Sequence, residues 1–456
     1  MEESVMNYAL IHANILTGQL DAHGKMPIIK NATMLIENDM ITAIYEDKLP
    51  SDIRTLKDFS IIDLEGRFLL PGLINAHAHF VPAMPVKKSK PSKKSTPAKE
   101  AKAIDMMALK EKIANAPFAG LLIYLIQRRV ARDTVCAGVT TIRTVGGLND
   151  VDARYRNRVE RRRAIGPRML VANTAVSVPG GHMAGVLATE ATSPEDAIRD
   201  VHAISDTKPD LIKLMVTGGV LDASESGEPG VLKMDPAIVK AACDTAHALG
   251  YPVAAHTESP EGVKVALQGG VDTIEHGALP DKEMLDLFKA HGASDICTLS
   301  PALPYVYMDP KETGLGELGR KNGAIVFHGI VECAKACLKE GIPVGLGTDT
   351  GCPFVAPYDM WREVYYFAKF CDVTPAFALH TATKINADIL GIGTITGTIE
   401  AGKHADFIVC DTNPLYDLTT LRHPTMVCAN GRLITKPKVH RIKSIDRALD
   451  ALLPRL

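Results

Sequence analysis

The chain has 456 residues, of which 46% are hydrophobic and 23% are charged, and its formal net charge at pH 7 is −2. This composition is typical of a globular protein with a sizeable core, and the near-neutral charge excludes a strong attraction to nucleic acid or anionic membranes. Nine cysteines without a C-x-x-C pair indicate reduced thiols rather than a disulfide framework.

The start of the chain, MEESVMNYAL, lacks the basic and apolar regions of a signal peptide. The most apolar window, PFAGLLIYLIQRRV (117–130), is too short and too charged at its end to span a bilayer. We therefore expect a cytoplasmic protein with neither a membrane nor a nucleic acid as partner.

Both ends of the chain have sequence patterns that are typical of β-strands. Residues 1–68 contain short alternating runs separated by Gly, Asn and Asp, and the same pattern returns in 396–440. The turn ANGR (429–432) predicts a tight hairpin. These features predict one small β-sandwich domain built from 1–68 and 396–440, followed by a C-terminal helix in 441–456.

Between these ends, in 69–395, apolar β-branched runs alternate with helical patterns. Eight such runs occur: LINAHAHF (73–80), TTIRTV (140–145), RMLVANTA (168–175), LIKLMV (211–216), PVAAHT (252–257), DTIEHG (272–277), DICTLS (295–300) and VGLGTD (344–349). One intervening helix, VECAKACLKE, is followed by Gly341, which predicts its C-terminal cap. The alternation predicts an α/β fold with a parallel sheet, and eight units predict a (β/α)8 TIM barrel. A doubly wound open sheet is the alternative, but no G-x-G-x-x-G follows the first run.

A lysine-, proline- and serine-rich segment, 85–102, follows the first barrel run. Its composition favours a solvated loop, and the alternative is a lid that draws anionic substrates to the barrel mouth. No aromatic residues interleave with the lysines, which argues against nucleic-acid binding.

Metal-binding residue types lie at or near the ends of five runs, where a barrel gathers its active site. His77 and His79 share one face of a strand because they are two residues apart, although two hydrogen-bonded histidines would give the same pattern. The complete set is His77, His79, Lys213, His256, His276 and Asp349. Their common placement predicts a metal site.

Lys213 is unusual because it is a cation inside an apolar run. Burial lowers the pKa of a lysine and favours the free amine, which can add CO2 to form an anionic carbamate that bridges two metals. The alternative is an ordinary buried salt bridge. The five convergent metal-binding residues favour the carbamate.

These motifs resemble those of the amidohydrolase superfamily: LLPGLINAHAHF, TIEHG, GTDTG and GTIEAGKHADFIVCDTNPL. Further stretches, TTIRTVGG, GGHM and LIKLMVTGGV, resemble its imidazolonepropionase-like branch, which includes metal-dependent dipeptidases, arginine- and proline-releasing carboxypeptidases and ochratoxin-type N-acyl amino acid hydrolases. Imidazolonepropionase itself resembles the chain less well, because it lacks the bridging lysine.

The resemblance implies two divalent metal ions, best suited to be zinc. One would bind His77, His79, Asp349 and an N6-carboxylysine at position 213, and the other would bind the same carbamate with His256 and His276. A bridging hydroxide would then cleave an amide, with Asp349 moving the proton. The expected substrate is a small molecule bearing a carboxylate, such as a dipeptide or N-acyl amino acid, and the expected assembly is a homo-oligomer.

Other reactions stay open at this point. The superfamily also includes cyclic amidohydrolases and deaminases, and some of its relatives are non-catalytic scaffolds that lost metal ligands. All six ligand positions are occupied here by suitable residues.

Candidate substrate-binding residues are fewer and less specific. His182, in PGGHMAG, is placed to touch a substrate carbonyl or carboxylate, or to stabilise its loop. Arg143 could clamp a carboxylate or pair with a buried acid that orients the metal ligands, although Thr144 stands where family members often carry an acid. Tyr305 and Tyr307 would line the pocket or pack within their loop.

Overall fold

The structure is a computed structural model that describes residues 7–47, 59–83, 119–220, 222–314 and 316–456. The lysine-rich segment 85–102, predicted as a loop or lid, lies outside these described residues.

Strands from both ends of the chain form one mixed sheet. Its described strands are β1 Asn7–Leu16, β2 Ile28–Glu37, β3 Met40–Tyr45, β4 Phe59–Asp63, β5 Phe68–Pro71, β16 Phe407–Cys410, β17 Met426–Ala429 and β18 Arg432–Ile434. Their order is β18-β17-β16-β5-β1-β2-β3, and β4 pairs with β1. The two ends join where β16 lies antiparallel to β5, with Ile408 opposite Leu70. Strand β5 begins at Phe68, the last residue of the predicted N-terminal part of the β-domain, and the sheet continues to Pro71.

The hairpin between β17 and β18 shows why the sequence folds this way locally. Ala429 pairs with Arg432, which leaves a two-residue turn. Asn430 and Gly431 both have positive φ, 50° and 70°, as the mirror-image hairpin turn requires. The hairpin predicted from ANGR is therefore confirmed.

The middle of the chain forms the predicted barrel. Its described strands are β6 Leu73–Ala78, β7 Val139–Thr144, β8 Arg168–Val171, β9 Ala175–Ser177, β10 Ala188–Glu190, β11 Ile212–Met215, β12 Val253–Thr257, β13 Thr273–His276, β14 Ser294–Cys297 and β15 Val344–Leu346. Strands β8 and β9 are two pieces of the third predicted run: β8 pairs with β7, and β9 pairs with β11. Strands β11 to β15 follow one another in parallel.

The barrel closes between its first and last strands. Beyond β15, the Thr348 amide donates to the carbonyl of His77, and the His79 amide donates to the carbonyl of Thr350, each at 3.0 Å. This closure brings the H-x-H motif beside the G-T-D-T-G motif. The predicted (β/α)8 fold with a small second domain is confirmed, and the described terminal strands, predicted as a β-sandwich, form one sheet.

Helices cover the outside of the barrel. Their bounds are α1 Ala119–Cys136, α2 Val151–Glu160, α3 Pro194–Asp206, α4 Pro236–Ala248, α5 Pro260–Gly269, α6 Lys282–His291, α7 Leu303–Tyr307, α8 Pro310–Thr313, α9 Glu317–Lys339, α10 Met360–Phe370, α11 Pro375–His380, α12 Asn386–Ile389 and α13 Lys443–Asp450. A π-helical turn spans Thr381–Ile385, and 3-10 turns span Leu418–Arg422 and Leu453–Arg455.

Local capping chemistry sets several helix ends. Ser193, Asp235 and Ser259 accept hydrogen bonds from backbone amides at the starts of α3, α4 and α5, each with proline at the first helical position. Gly341, with φ of 73°, lies just past the end of α9, as predicted. Within the described part of the chain, no helix is long and apolar enough to cross a membrane. All nine cysteines are free thiols, in agreement with the prediction.

Candidate metal centre

The residues predicted to bind metal meet inside one end of the barrel. His77 lies in β6, Lys213 in β11, His256 in β12 and His276 at the end of β13, whereas His79 and Asp349 lie just beyond β6 and β15. All are buried except His79, which is partly buried. Parallel strands of a barrel end at the same face, which is why residues far apart in sequence converge here.

The first half of the centre consists of His77, His79 and Asp349. One oxygen of Asp349, Oδ1, lies 3.4 Å from Nε2 of His77 and 3.2 Å from Nε2 of His79. Burial alone would raise the pKa of Asp349, but hydrogen bonds and charge from the two histidines hold that pKa well below its ordinary value. An ionised carboxylate with two imidazole nitrogens is a donor set suited to a divalent transition metal.

A carboxylate behind the first half holds His77 in place. Nδ1 of His77 lies 2.5 Å from Oε2 of Glu275, and this contact leaves Nε2 facing Asp349. Glu275 in turn accepts from Nη2 of Arg143 at 2.7 Å and from the Thr273 hydroxyl at 2.6 Å. On the other side, Nδ1 of His79 lies 2.9 Å from the carbonyl of Gly146. Such partners orient metal-binding imidazoles and raise their basicity.

The second half of the centre consists of His256, His276 and Glu258, whose ligand atoms all lie within 4.8 Å of one another. The Thr298 hydroxyl lies 2.7 Å from Nδ1 of His276. Burial lowers the pKa of both histidines well below the ordinary value, so both are neutral and able to bind metal. The ring centroids of His77 and His276 are only 4.7 Å apart, which makes the two halves adjacent.

Lys213 lies in the same space with an amine that has no partner. The side chain is 1% exposed, and Nζ makes no hydrogen bond to any described residue. Burial, opposed by the charges of Glu275 and Asp349, lowers the pKa of Lys213 to about 8. The salt bridge considered from the sequence is absent among the described residues. An unpartnered, readily deprotonated amine beside neutral histidines fits the carbamate that the resemblance implies.

Backbone strain coincides with the centre. His276 and Asp349 have positive φ, 74° and 53°, although neither is glycine. Such conformations cost about 1–3 kcal/mol and cluster at functional sites.

Of the four predicted substrate-binding residues, His182 lies against the centre. Its ring stacks on that of His256 at 4.3 Å between centroids, and Nδ1 lies 2.5 Å from Oδ2 of Asp222. Tyr305 is buried, and its pKa is raised by burial and by the charges of Cys352, Glu258 and Asp349. Both side chains therefore border the centre.

Arg143 and Tyr307 make contacts that differ from substrate binding. The guanidinium of Arg143 donates to the carbonyl of Ala76 at 2.6 Å, to Thr273 at 3.0 Å and to Glu275 at 2.7 Å. Of the two roles expected for Arg143, these contacts fit the pairing with a buried acid that orients a metal ligand. Tyr307 packs against Phe327 and Phe370, which fits the alternative of packing within its loop.

Sequence reasoning missed three carboxylates at this site: Glu258, Glu275 and Asp222. Glu275 precedes His276 in TIEHG, and regular strand alternation directs neighbouring side chains to opposite faces, so the motif by itself does not point to Glu275. Glu258 lies two residues after His256, a spacing that could have identified it. Burial raises the pKa of Glu258 to about 8, and its Oε2 is buried without a hydrogen-bond partner among the described residues.

Comparison with known proteins gives the family. A sequence model described as the amidohydrolase family matches residues 68–434, which is most of the chain. The chain belongs to the amidohydrolase family. A solved structure of a candidate prolidase from Bifidobacterium longum has 32% identity and a TM-score of 0.82, covering 98% of this chain and 99% of that chain. The resemblance drawn from the motifs is confirmed.

Two curated relatives show the breadth of the match. Ochratoxinase from Aspergillus niger is 27% identical over 237 residues, which are 50% of this chain and 47% of that protein. The match thus spans about half the length of that relative. Imidazolonepropionase from Pseudomonas savastanoi pv. phaseolicola is 25% identical over 403 residues, covering 87% of this chain and 92% of that protein.

Proposed function

We propose that this chain is a binuclear metal-dependent hydrolase that cleaves an amide bond in a dipeptide or an N-acyl amino acid. The observation that carries the proposal is the convergence of four histidines and an aspartate around the unpartnered amine of Lys213. Non-catalytic relatives are marked by lost ligands, whereas each of these positions has a side chain with the appropriate donor atom.

The proposed ligand sets follow from the two halves of the centre. His77, His79, Asp349 and a carboxylated Lys213 would hold one divalent ion, and His256 and His276 with the carboxylated Lys213 would hold the other. We propose zinc, since imidazole and carboxylate ligands suit it. When bound, two such ions supply a hydroxide nucleophile near neutral pH and polarise the scissile carbonyl.

Side chains of the protein would transfer the protons and orient the metal ligands and the substrate. Asp349, kept ionised by His77 and His79, accepts the proton of the attacking water and passes it to the leaving nitrogen. Glu275 keeps Nε2 of His77 directed at the centre by binding Nδ1. His182, whose Nδ1 is held by Asp222, directs Nε2 toward the substrate carbonyl or carboxylate.

Two observations support the proposed substrate class: the names of similar proteins and the unpartnered carboxyl group of Glu258. The similar proteins include a candidate prolidase and an ochratoxinase, which supports an amide beside a carboxylate-bearing group. Glu258 has an unpartnered oxygen near His256 and His276, where it would receive the ammonium group of a dipeptide. This feature favours dipeptides within the proposed class.

Two further parts of the proposal concern the cellular location and the oligomeric state of the protein. A cytoplasmic location is supported by the nine free cysteines. A homo-oligomer is proposed from the family resemblance alone.

A second candidate is a cyclic amidohydrolase or deaminase. The imidazolonepropionase match extends over 87% of this chain, whereas the ochratoxinase match extends over 50%. The buried, unpartnered amine of Lys213, which could form the bridging carbamate, argues for the binuclear hydrolase, and metal stoichiometry separates the two candidates.

The first experiment measures metal per chain on protein reconstituted with zinc and bicarbonate. In parallel, amino-acid release is measured from a panel of dipeptides and N-acyl amino acids with and without chelator. We expect chelator-sensitive cleavage and two metals per chain in addition to any metal bound by cysteine thiols. One catalytic metal with ring-opening or deaminating activity supports the second candidate, and no turnover after reconstitution overturns the proposed hydrolase.

A further inference from the structure

A second group of metal-binding side chains lies between the barrel wall and helix α9. Asp295 comes from β14, and Cys333 and Cys337 come from α9, one helical turn apart. All three are 0% exposed. Residues four apart lie on one face of a helix, so both thiols point toward the strand that carries Asp295.

Asp295 is not satisfied by the protein around it. Its Oδ2 atom is buried without a hydrogen-bond partner among the described residues. Among the described residues, its Oδ1 atom accepts one side-chain hydrogen bond, from the Cys333 thiol at 3.7 Å. A buried carboxylate without strong partners is costly, and an unpartnered atom of this kind calls for a proton or an ion.

The distances within this group suit a tetrahedral metal site. The ligand atoms of Asp295, Cys333 and Cys337 all lie within 4.8 Å of one another. Zinc binds sulfur at about 2.3 Å and carboxylate oxygen at about 2.0–2.2 Å, which places sulfur and oxygen ligands roughly 3.5 Å apart. The sulfur-to-oxygen distance of 3.7 Å between Cys333 and Asp295 is close to that value.

More thiols adjoin the group. Cys297 follows Asp295 by two residues on β14, and its thiol contacts that of Cys371. Cys371 also lies close enough to Asp295 to interact with its charge. Four of the nine cysteines of the chain are therefore gathered around one buried carboxylate. A sulfur-rich set of this kind prefers zinc or a similar soft divalent ion.

We propose that Asp295, Cys333 and Cys337 bind a structural zinc-class ion and supply three of its ligands. Binding releases the protons of the ligating thiols, and it pins α9 to β14. This site is independent of the catalytic proposal because it shares no ligand with the histidine centre. Its thiolates distinguish it chemically from that centre.

X-ray absorption at the zinc edge of the full-length, zinc-loaded protein tests the site without any substitution. The expected result is sulfur scattering at about 2.3 Å in addition to nitrogen and oxygen scattering. Cobalt-loaded protein is expected to show thiolate-to-cobalt charge-transfer absorption. Protein that shows neither signal after metal loading overturns the proposal and leaves a protonated Asp295 hydrogen-bonded to thiols.

Single substitutions identify which cysteines give rise to the sulfur scattering. Cys333→Ser and Cys337→Ser are expected to lose the sulfur signal and about one metal per chain. Cys243→Ser removes a buried thiol outside the group, and Cys352→Ser removes the thiol 3.2 Å from Asp349. Both controls are expected to retain the signal, and its loss only in Cys352→Ser overturns the assignment. If Cys333→Ser fails to fold, the wild-type absorption spectrum still decides.

Discussion

Two regions of this protein contain buried charged side chains, and they differ in whether those side chains are paired with an opposite charge. In the C-terminal ion cluster, formed by Asp359, Arg362, Arg422, Arg441, Asp446 and Asp450, cations face anions. Arg422 lies 2.9 Å from Asp450, and Arg362 lies 3.2 Å from Asp359. At the metal centre, the cation of Lys213 has no carboxylate within ion-pair distance among the described residues.

The difference separates a structural role from a chemical one. Arginine stays charged in the cluster and fastens α13 to α10 through Arg362 and Asp450. A lysine buried without a partner shifts toward the neutral amine, which is reactive. Buried charge in itself therefore does not mark the functional site, whereas a buried amine without a carboxylate partner among metal-binding side chains does.

The largest expected effect is on turnover. Asp349→Asn keeps the size of the side chain but removes the proton acceptor, so kcat should fall by about 10²–10⁴-fold. Circular dichroism should show an unchanged fold. An unchanged kcat in this variant would remove Asp349 from the proposed proton transfer.

Lys213→Ala should lose most activity, because the bridging carbamate cannot form. Short carboxylic acids can occupy the space left by the side chain and mimic the carbamate. We expect partial recovery of kcat on adding acetate or propionate, with chloride at equal ionic strength as the control. Retention of wild-type activity by Lys213→Ala would contradict the bridging role.

In the C-terminal ion cluster, Arg362→Met should lower stability and leave metal binding unchanged. Removing one partner of a buried pair costs about 3–5 kcal/mol because the other charge is left unpaired. Denaturant unfolding measures this loss, and metal analysis should still show wild-type content. A matched loss of metal would show that the two regions are coupled.

The pH dependence of stability should reveal Lys213 directly. Burial lowers its pKa in the folded protein to about 8 from 10.5. The unfolded chain then binds more protons between these values, so stability rises with pH from about 8 to 10.5, by roughly 3 kcal/mol. Metal-free, CO2-depleted protein should show this rise in denaturant unfolding. Lys213→Met should lack it, and identical profiles for the two proteins would disprove the lowered pKa.

The smallest predicted effect concerns the carboxylate behind the centre. Glu275→Gln weakens the hold on His77, so metal affinity should fall by about 10–100-fold. Competition with a chelator measures the metal affinity of the wild-type protein and the variant. Glu283→Gln, which removes the exposed partner of Lys264, is the control and should leave affinity unchanged.

The sequence alone was sufficient to predict the barrel, the terminal strands and the family. Strand and helix periodicity is local, and barrel geometry sends the polar ends of parallel strands to one face. For this reason the residue types and their spacing were enough to nominate His77, His79, His256 and Asp349. The hairpin at Asn430 and Gly431 was equally predictable because positive φ favours these residues.

Tertiary structure decided what lies around those residues. Arg143 could have bound substrate or a buried acid, and only packing across the barrel revealed Glu275 as its partner. The contact of Glu275 with Nδ1 of His77 joins two strands that are 198 residues apart in sequence, and no local pattern predicts it. The cluster of Asp295, Cys333 and Cys337 also depends on how α9 packs against β14. Sequence patterns report which residues share a face, whereas contacts between elements depend on the closed barrel and its helical layer.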